Sequence, residues 1–301
     1  MTNTLYAAPL EGVTGFAWRK AHADVFGGAD KYFAPFLSPT TSHSFTTKET
    51  RDISQNEHNL VPQILASNHE NFVWAAEYLK SLGYNEINLN LGCPSGTVVA
   101  KKKGCGVLRD LVQLDTLLDG IYSNVKDINI SIKTRIGLSD ASEWQSILAV
   151  YENYPISELI VHPRVKTQLY NGRADRALFL DTLNSTKLNL VYNGDVNDLN
   201  DEALSYGIPV MVGRGLISNP SLFREIKGGS HSSLDELKRF HDSVLKSYQS
   251  YISGDAQLLH KMKEFWHYFR DNFDVPDSAI KKILKSKHLS EYSCAVAAVL
   301  K

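Results

Sequence analysis

Asn90-Leu91-Gly92-Cys93-Pro94 is the segment whose residue types point most directly to chemistry. The alternating run before it, Ile87 to Leu91, reads as a strand. A cysteine at a strand's end, between a glycine that lets the backbone turn and a proline that fixes φ, is poorly placed for core packing. Two readings stand: a thiol held where it can react, or a small residue filling a gap, as free cysteines often do. Lys133, in Ile130-Ser131-Ile132-Lys133-Thr134-Arg135, is a second candidate. A lysine at a strand end is costly to bury unless it meets an anion or works chemically. It suits a Schiff base, a cation beside a cofactor ring that gains negative charge, or a snorkelling rim lysine. His162-Pro163-Arg164 sets an imidazole beside a fixed cation. A solitary histidine is more often structural, and the neighbouring arginine raises the functional reading. Asn193-Gly194-Asp195 and Gly213-Arg214-Gly215 combine close backbone approach with a cation, as a phosphate cradle or a pair of plain turns does. No His/Asp/Glu grouping has metal-ligand spacing, so no metal is expected.

Elements that position these residues follow from the apolar pattern. Eight apolar or β-branched runs read as strands: Leu5–Pro9, Lys31–Phe36, Leu60–Leu65, Glu86–Leu91, Ile128–Thr134, Glu158–His162, Leu188–Asn193 and Pro209–Gly213. Most gaps hold amphipathic stripes, such as Phe72, Ala75, Ala76, Leu79 and Leu82, or Leu111, Leu114, Leu117, Leu118 and Ile121, or Trp144, Ile147, Leu148 and Tyr151. Strands alternating with helices imply parallel βαβ units, and eight of them imply an α/β fold, a (β/α)8 TIM barrel. Such barrels place active sites at the C-terminal strand ends. Gln63, Asn90 and Cys93, Lys133 and Arg135, His162 and Arg164, Asn193 to Asp195, and Gly213 to Gly215 all fall there on successive strands. Core filling does not put polar groups at one end of so many strands. The pattern then changes. Gly228-Gly229-Ser230-His231-Ser232-Ser233 reads as a loop, and Leu234–Tyr251, Ala256–Asn272, Ser278–Lys285 and Tyr292–Leu300 read as helices, with Ser233 and Glu236 as a capping box. The chain is expected to divide into a barrel, 1–230, and a small C-terminal helical domain, 231–301, that leans on it.

Bulk properties narrow the class. The chain has 301 residues, 43% hydrophobic and 22% charged, with a formal net charge of −1, so a polyanion must be held by a local patch. Three cysteines, Cys93, Cys105 and Cys294, without Cys-x-x-Cys spacing argue against a disulfide framework and for a reducing compartment. The first residues carry no signal-peptide pattern and no run reaches membrane-spanning length, so a cytoplasmic protein is expected, and a monomer. Residues 231–301 hold 11 Lys/Arg against 9 Asp/Glu, a net of +2. Lys261, Lys263, Trp266, His267, Tyr268 and Arg270 interleave cations with aromatics, which suits phosphate contact and base stacking, or an ordinary solvated helix face. Lys101-Lys102-Lys103 follows the Cys93 loop.

Taken together, these motifs resemble the FMN-dependent tRNA-dihydrouridine synthases over nearly the whole length. The resemblance is carried by Ala8-Pro9-Leu10-Glu11-Gly12-Val13-Thr14, Asn90-Leu91-Gly92-Cys93-Pro94 with Lys103-Gly104-Cys105-Gly106, Lys133-Thr134-Arg135, His162-Pro163-Arg164 with Gln168 and Gly172, Asn193-Gly194-Asp195-Val196, and Gly213-Arg214-Gly215 with Asn219-Pro220. It implies reduction of the C5–C6 double bond of a uridine in tRNA, with FMN as cofactor and NADPH or NADH as reductant. Pro9, Leu10, Glu11 and Gln63 are implied to contact the flavin ring, Lys133 its N1 and O2 edge, and His162 the FMN. Asn193, Gly194, Asp195, Gly213 and Arg214 are implied to hold the ribityl chain and phosphate. Cys93 is implied to protonate C5 after hydride reaches C6. Asn90, Arg135 and Arg164 are implied to meet the tRNA substrate, and Lys263 and Arg270 to bind it from the tail. Leu10 stands where Met is common, Glu11 where Ala is common, and Val165 where Thr is usual; Cys105 has no implied role. Competing readings are an FMN barrel acting on a free pyrimidine or enone, a Schiff-base barrel, and an RNA-binding module without catalysis.

Overall fold

The computed structural model describes residues 3–54 and 59–301. Nine strands, all parallel, form the barrel: β1 (Leu5–Ala7), β2 (Lys31–Phe33), β3 (Leu60–Val61), β4 (Gln63–Ile64), β5 (Glu86–Leu91), β6 (Asn129–Arg135), β7 (Leu159–His162), β8 (Leu190–Tyr192) and β9 (Val210–Val212). Their order is β3-β2-β1-β9-β8-β7-β6-β5-β4. The third expected run is therefore two strands, one at each end of the order. Pro62 between them has no N–H to give a ladder, which splits the run. The split closes the cylinder: β3 pairs with β2, β4 pairs with β5, the Pro62 carbonyl accepts from the Asn88 amide at 2.9 Å, and Leu37 bridges to Ile64.

Side chains alternate between the barrel interior and the surrounding helices. Tyr6, Phe33, Val61, Ile160, Val191 and Met211 fill one arc of the interior with apolar volume, with Ala8 above them. The opposite arc, on β4 to β6, is polar, with Gln63, Asn88, Asn90 and Ser131 all buried. Outward-facing residues pack on helices such as His69–Ser81, whose Phe72, Ala75, Ala76 and Leu79 are fully enclosed. Asn68 caps that helix by accepting from the Asn71 amide. Leu82, assigned from its spacing to the same apolar stripe, is exposed, because the helix ends at Ser81 and the chain turns away at Gly83 (φ 92°).

Beyond Ile226 only helices follow: Leu234–Gln249, Asp255–Phe269, Asp277–Lys285 and Leu289–Val299. Ser233 and Glu236 form the capping box. Tail and barrel share one core. Phe240 sits edge-on to Trp18 and Phe26 of the helix Phe16–Val25, at 6.1 and 5.3 Å between ring centroids. Within the tail, His241 and Trp266 both reach the Tyr292 hydroxyl, at 2.7 and 2.8 Å.

Candidate active site

The C-terminal strand ends enclose a cavity of about 320 Å³. Its wall takes Pro9, Leu10 and Glu11 from the loop after β1, Pro35 and Phe36 from the loop after β2, and Gln63 from β4. Asn90 and Cys93 come from β5 and its loop, Lys133 and Arg135 from β6, and His162 from β7. Asn193 and Gly194 follow β8, and Gly213 and Arg214 follow β9. Residues scattered over some two hundred positions of sequence thus converge because each ends a strand of one closed sheet.

The cysteine loop is built by its own neighbours. Asn90 Oδ1 accepts the Gly92 and Cys93 amides, each at 3.0 Å, and its Nδ2 donates to Gln63 Oε1 at 2.7 Å. Gly104, at φ 54°, passes so close that a Cβ there would come within 2.8 Å of the Cys93 carbonyl, which also accepts from the Cys105 amide. Burial pushes the half-buried Cys93 thiol above its ordinary pKa, although the Ser95 amide, Arg135 and Lys133 pull the other way. The thiol is accordingly protonated at neutral pH. Cys105 is fully buried, its thiol pushed up to about 12 by that burial, and it lies outside the cavity wall.

Cations occupy the next sector. Lys133 lines the cavity and makes no hydrogen bond or ion pair among the described residues. Burial, reinforced by Arg135, brings its ammonium down to about 8. Arg135 is committed to the scaffold: its Nε donates to the Gly92 carbonyl at 3.2 Å, and its Nη1 to the Val165 and Leu169 carbonyls at 3.0 and 2.9 Å. Tyr170, from the following loop, is stacked by the Arg214 and Arg135 guanidinium groups at 4.4 and 5.5 Å from its ring centre. His162 Nδ1 lies 2.6 Å from the Asn193 carbonyl, so Nδ1 carries the proton and Nε2 is the acceptor. Burial, with Lys133 and Arg135 nearby, holds the His162 pKa well below its ordinary value, and the ring is neutral.

Arg164 and Asp195 do not line the cavity. Arg164, expected to meet tRNA, is 1% exposed and sits behind His162, donating to both Asp195 carboxylate oxygens and to the Gly172 carbonyl. Asp195 also accepts from Arg214 at 2.9 Å. Burial raises the Asp195 carboxyl, but the two guanidinium groups outweigh it and hold it below the usual carboxylate range. The pair thus fixes His162 and Arg214 from beneath. Asp195→Ala is expected to cost about 3–5 kcal/mol, because it leaves a buried guanidinium without its anion. Urea denaturation at neutral pH checks this. The depressed carboxyl contributes its stability above the ordinary carboxylate range and loses it as pH falls through its folded value, so the gap between variant and parent should close in acid.

From the tail, Tyr268 of the helix Asp255–Phe269 enters the cavity wall, and Lys263 and Arg270 do not. Lys263 Nζ donates to the Ser286 carbonyl at 2.5 Å and Arg270 pairs with Asp277 at 2.7 Å, joining that helix to its neighbour. Tyr170, Tyr268 and Phe36 were not singled out by residue type; Tyr268 lay inside the aromatic–basic run, and that interleaving was its signal.

The cavity's donor set suits an anionic, acceptor-rich ligand. The Lys133 ammonium on the cavity wall has no acceptor among the described residues, and such a charge is costly without one. At the glycine turns beside Arg214, a Cβ on Gly194 would come within 2.0 Å of the Tyr192 hydroxyl and one on Gly215 within 2.2 Å of the Val196 carbonyl, so packing within the fold requires glycine at both. Among the described residues, no His/Cys/Asp/Glu group is arranged to hold a metal ion, and no helix is long and apolar enough to cross a membrane.

Comparison with known proteins agrees with the geometry. The family described as Dihydrouridine synthase matches residues 6–293. A probable tRNA-dihydrouridine synthase of Staphylococcus aureus (strain Mu50) is 30% identical over 258 residues, covering 80% of this chain and 77% of that protein. Probable tRNA-dihydrouridine synthase 2 of Bacillus subtilis (strain 168) is 26% identical over 302 residues, covering 94% and 90%. Among solved structures, a variant of NCR from Zymomonas mobilis shares the fold with a TM-score of 0.50 at 13% identity, covering 78% of this chain and 90% of that one.

Proposed function

This chain belongs to the dihydrouridine synthase family and is an oxidoreductase, and from that premise we propose that it reduces the C5–C6 double bond of a uridine in tRNA with FMN in the barrel mouth, NADPH or NADH as electron source and Cys93 as general acid. The observation that carries the cofactor assignment is the unpartnered Lys133 ammonium on the cavity wall, in register with Asn90 of the neighbouring strand. FMN, bound there and reduced, would supply a hydride to C6 of the uracil. Lys133 would meet the acceptor edge of the ring, and Arg214, with the turns at Gly194 and Gly213, would meet the phosphate. Cys93 delivers the proton to C5. The same cations that pull its pKa downward, Arg135 and Lys133, then lie near the thiolate left behind. Asn90 Oδ1 is consumed by two backbone amides, so Asn90 offers the substrate its remaining Nδ2 proton and therefore meets a uracil carbonyl.

Tyr268 supports a polynucleotide substrate over a free pyrimidine, because it brings the tail into the wall of the catalytic cavity. The exposed Lys101 and Lys102 extend the basic surface for tRNA phosphates, while Lys263 and Arg270, bonded to Ser286 and Asp277, hold the tail helices together beside it. Tyr268→Ala is expected to raise KM for tRNA about 10-fold, the loss of one base-stacking contact, with FMN reduction by NADPH unchanged. Steady-state kinetics on tRNA beside stopped-flow flavin bleaching would reveal this split, and an unaltered KM would remove Tyr268 from the substrate surface. The reading as a whole is tested by mapping dihydrouridine in tRNA from cells that lack this protein. One uridine position should lose the modification and regain it when the gene is restored; a full complement of dihydrouridine would overturn the assignment.

A further inference from the structure

A continuous file of buried polar side chains runs up the inside of the barrel from its closed end to the Cys93 loop, and nothing in the reaction above uses its lower half. At the top, the Gly92 and Cys93 amides donate to Asn90 Oδ1 at 3.0 Å. Asn90 Nδ2 donates to Gln63 Oε1 at 2.7 Å, and Gln63 Nε2 to Asn88 Oδ1 at 2.7 Å. Asn88 Nδ2 donates to Ser131 Oγ at 2.9 Å, and Ser131 donates to Glu86 Oε1 and the Ile87 carbonyl, each at 3.3 Å. Glu86 is anchored by Lys31 at 2.8 Å, which also holds Glu158 at 2.8 Å. Gln63, Asn88, Asn90 and Ser131 are 1%, 0%, 7% and 0% exposed.

Every link donates in the same direction, and both ends enforce it. Backbone N–H groups at the top can only donate, so Asn90 must turn its oxygen toward them and its nitrogen toward Gln63. A carboxylate at the bottom can only accept, so Ser131 must point its proton downward and receive one from Asn88. The amides between have one consistent orientation, and reversing any of them sets donor against donor or oxygen against oxygen. We propose that Asn88, Ser131 and Glu86, which do not line the cavity, are positioning residues: their file fixes the amide orientation of Gln63 and Asn90, so that both present N–H donors to the cavity, and it holds the turn that carries Cys93. The part of this inference that concerns the cofactor rests on the FMN reading; the part that concerns Cys93 does not.

The test uses the full-length protein in a Cys294→Ser background, so that Cys93 is the thiol open to alkylation. Ser131→Ala breaks the file at a residue two positions from Lys133 and outside the cavity wall. Val191→Ala, in the apolar arc of the same interior, serves as a control for general loosening. With the flavin removed, Ser131→Ala is expected to speed iodoacetamide alkylation of Cys93 at neutral pH several-fold, because a freed turn lets the thiol out of its burial; Val191→Ala should leave the rate unchanged. With FMN added, Ser131→Ala should weaken binding about fivefold, the worth of one hydrogen bond of ordinary strength, and lower kcat without moving KM for tRNA. Ser131→Thr, which keeps the hydroxyl, should restore both readouts. Equal alkylation rates and equal FMN affinity in Ser131→Ala and its parent would overturn the proposal, as would an equal response from Val191→Ala. If Ser131→Ala fails to fold, Glu86→Gln breaks the other end and is read by the same two assays. A parent protein that takes up no FMN, with alkylation still responding to Ser131→Ala, would retire the flavin reading and leave the positioning role standing.

Discussion

Cys93→Ala is expected to lose about 10²–10⁴-fold in turnover on tRNA, the range a positioned general acid contributes, while binding FMN and accepting electrons from NADPH like its parent. The expectation follows from how the thiol is held. Its amide is fixed by Asn90, its carbonyl is met by the Cys105 amide, and burial raises its pKa. A raised pKa keeps the acid loaded through neutrality and moves the alkaline limb of the pH–rate profile above the ordinary thiol range. Single-turnover reduction of tRNA by pre-reduced protein isolates this step from flavin reduction. An unaltered rate would end the acid assignment. Cys105→Ala should be silent in the same assay, since Cys105 is fully buried and outside the cavity wall.

Lys133→Met should weaken FMN binding about 10- to 100-fold, as expected for loss of one hydrogen bond to a charged group. It should also raise the stability of the flavin-free protein, because a half-buried ammonium without a partner is itself a cost. Those opposite movements distinguish a residue kept for its ligand from one kept for the fold. The pH dependence has a definite sign. In the flavin-free protein the Lys133 pKa is lowered to about 8, below the ordinary lysine value near ~10.4. The unfolded chain then binds more protons between those values, so stability of the flavin-free protein rises with pH across that window. An acceptor bound against the ammonium raises its pKa again, so FMN affinity is full below about pH 8 and falls above it. In Lys133→Met both slopes vanish. Fluorescence titrations of FMN and urea melts at a series of pH values measure them, and a pH-independent affinity in the parent would remove Lys133 from the flavin site.

Much of this architecture is legible along the chain because a parallel barrel repeats one local pattern. Each strand is a short apolar run, most gaps hold a helical stripe, and the candidate site residues stand at or just past the strand ends. Runs such as Glu86–Leu91 and Glu158–His162 therefore mark strand ends, and with them the rim where Asn90, Lys133 and His162 stand. The split of Leu60–Leu65 at Pro62 was harder to see, since only ring closure makes one run pair with two partners. Tyr170 gave no signal, and Tyr268 gave one only as part of an aromatic–basic run, for a different reason. Their roles depend on Arg214 and Arg135 stacking on one and on tail docking carrying the other inward, and neither contact leaves a periodic trace.

Arg164 marks the limit of local reading most clearly. Beside His162 it reads as a second cation at the mouth, yet the fold turns it under the imidazole and closes it against Asp195. Residue type and spacing determined the eightfold strand–helix alternation, the rim on which chemistry must occur, and the family to which those motifs belong. Three-dimensional packing alone decided which of the rim's polar groups face the cavity and which hold the others in place, because a side chain's hydrogen-bond partners are set by strands and loops distant in sequence. Nothing near Asn90 in the chain specifies that its oxygen is spent on two amides or that its nitrogen must point at Gln63. That orientation exists only once β4, β5 and β6 lie side by side.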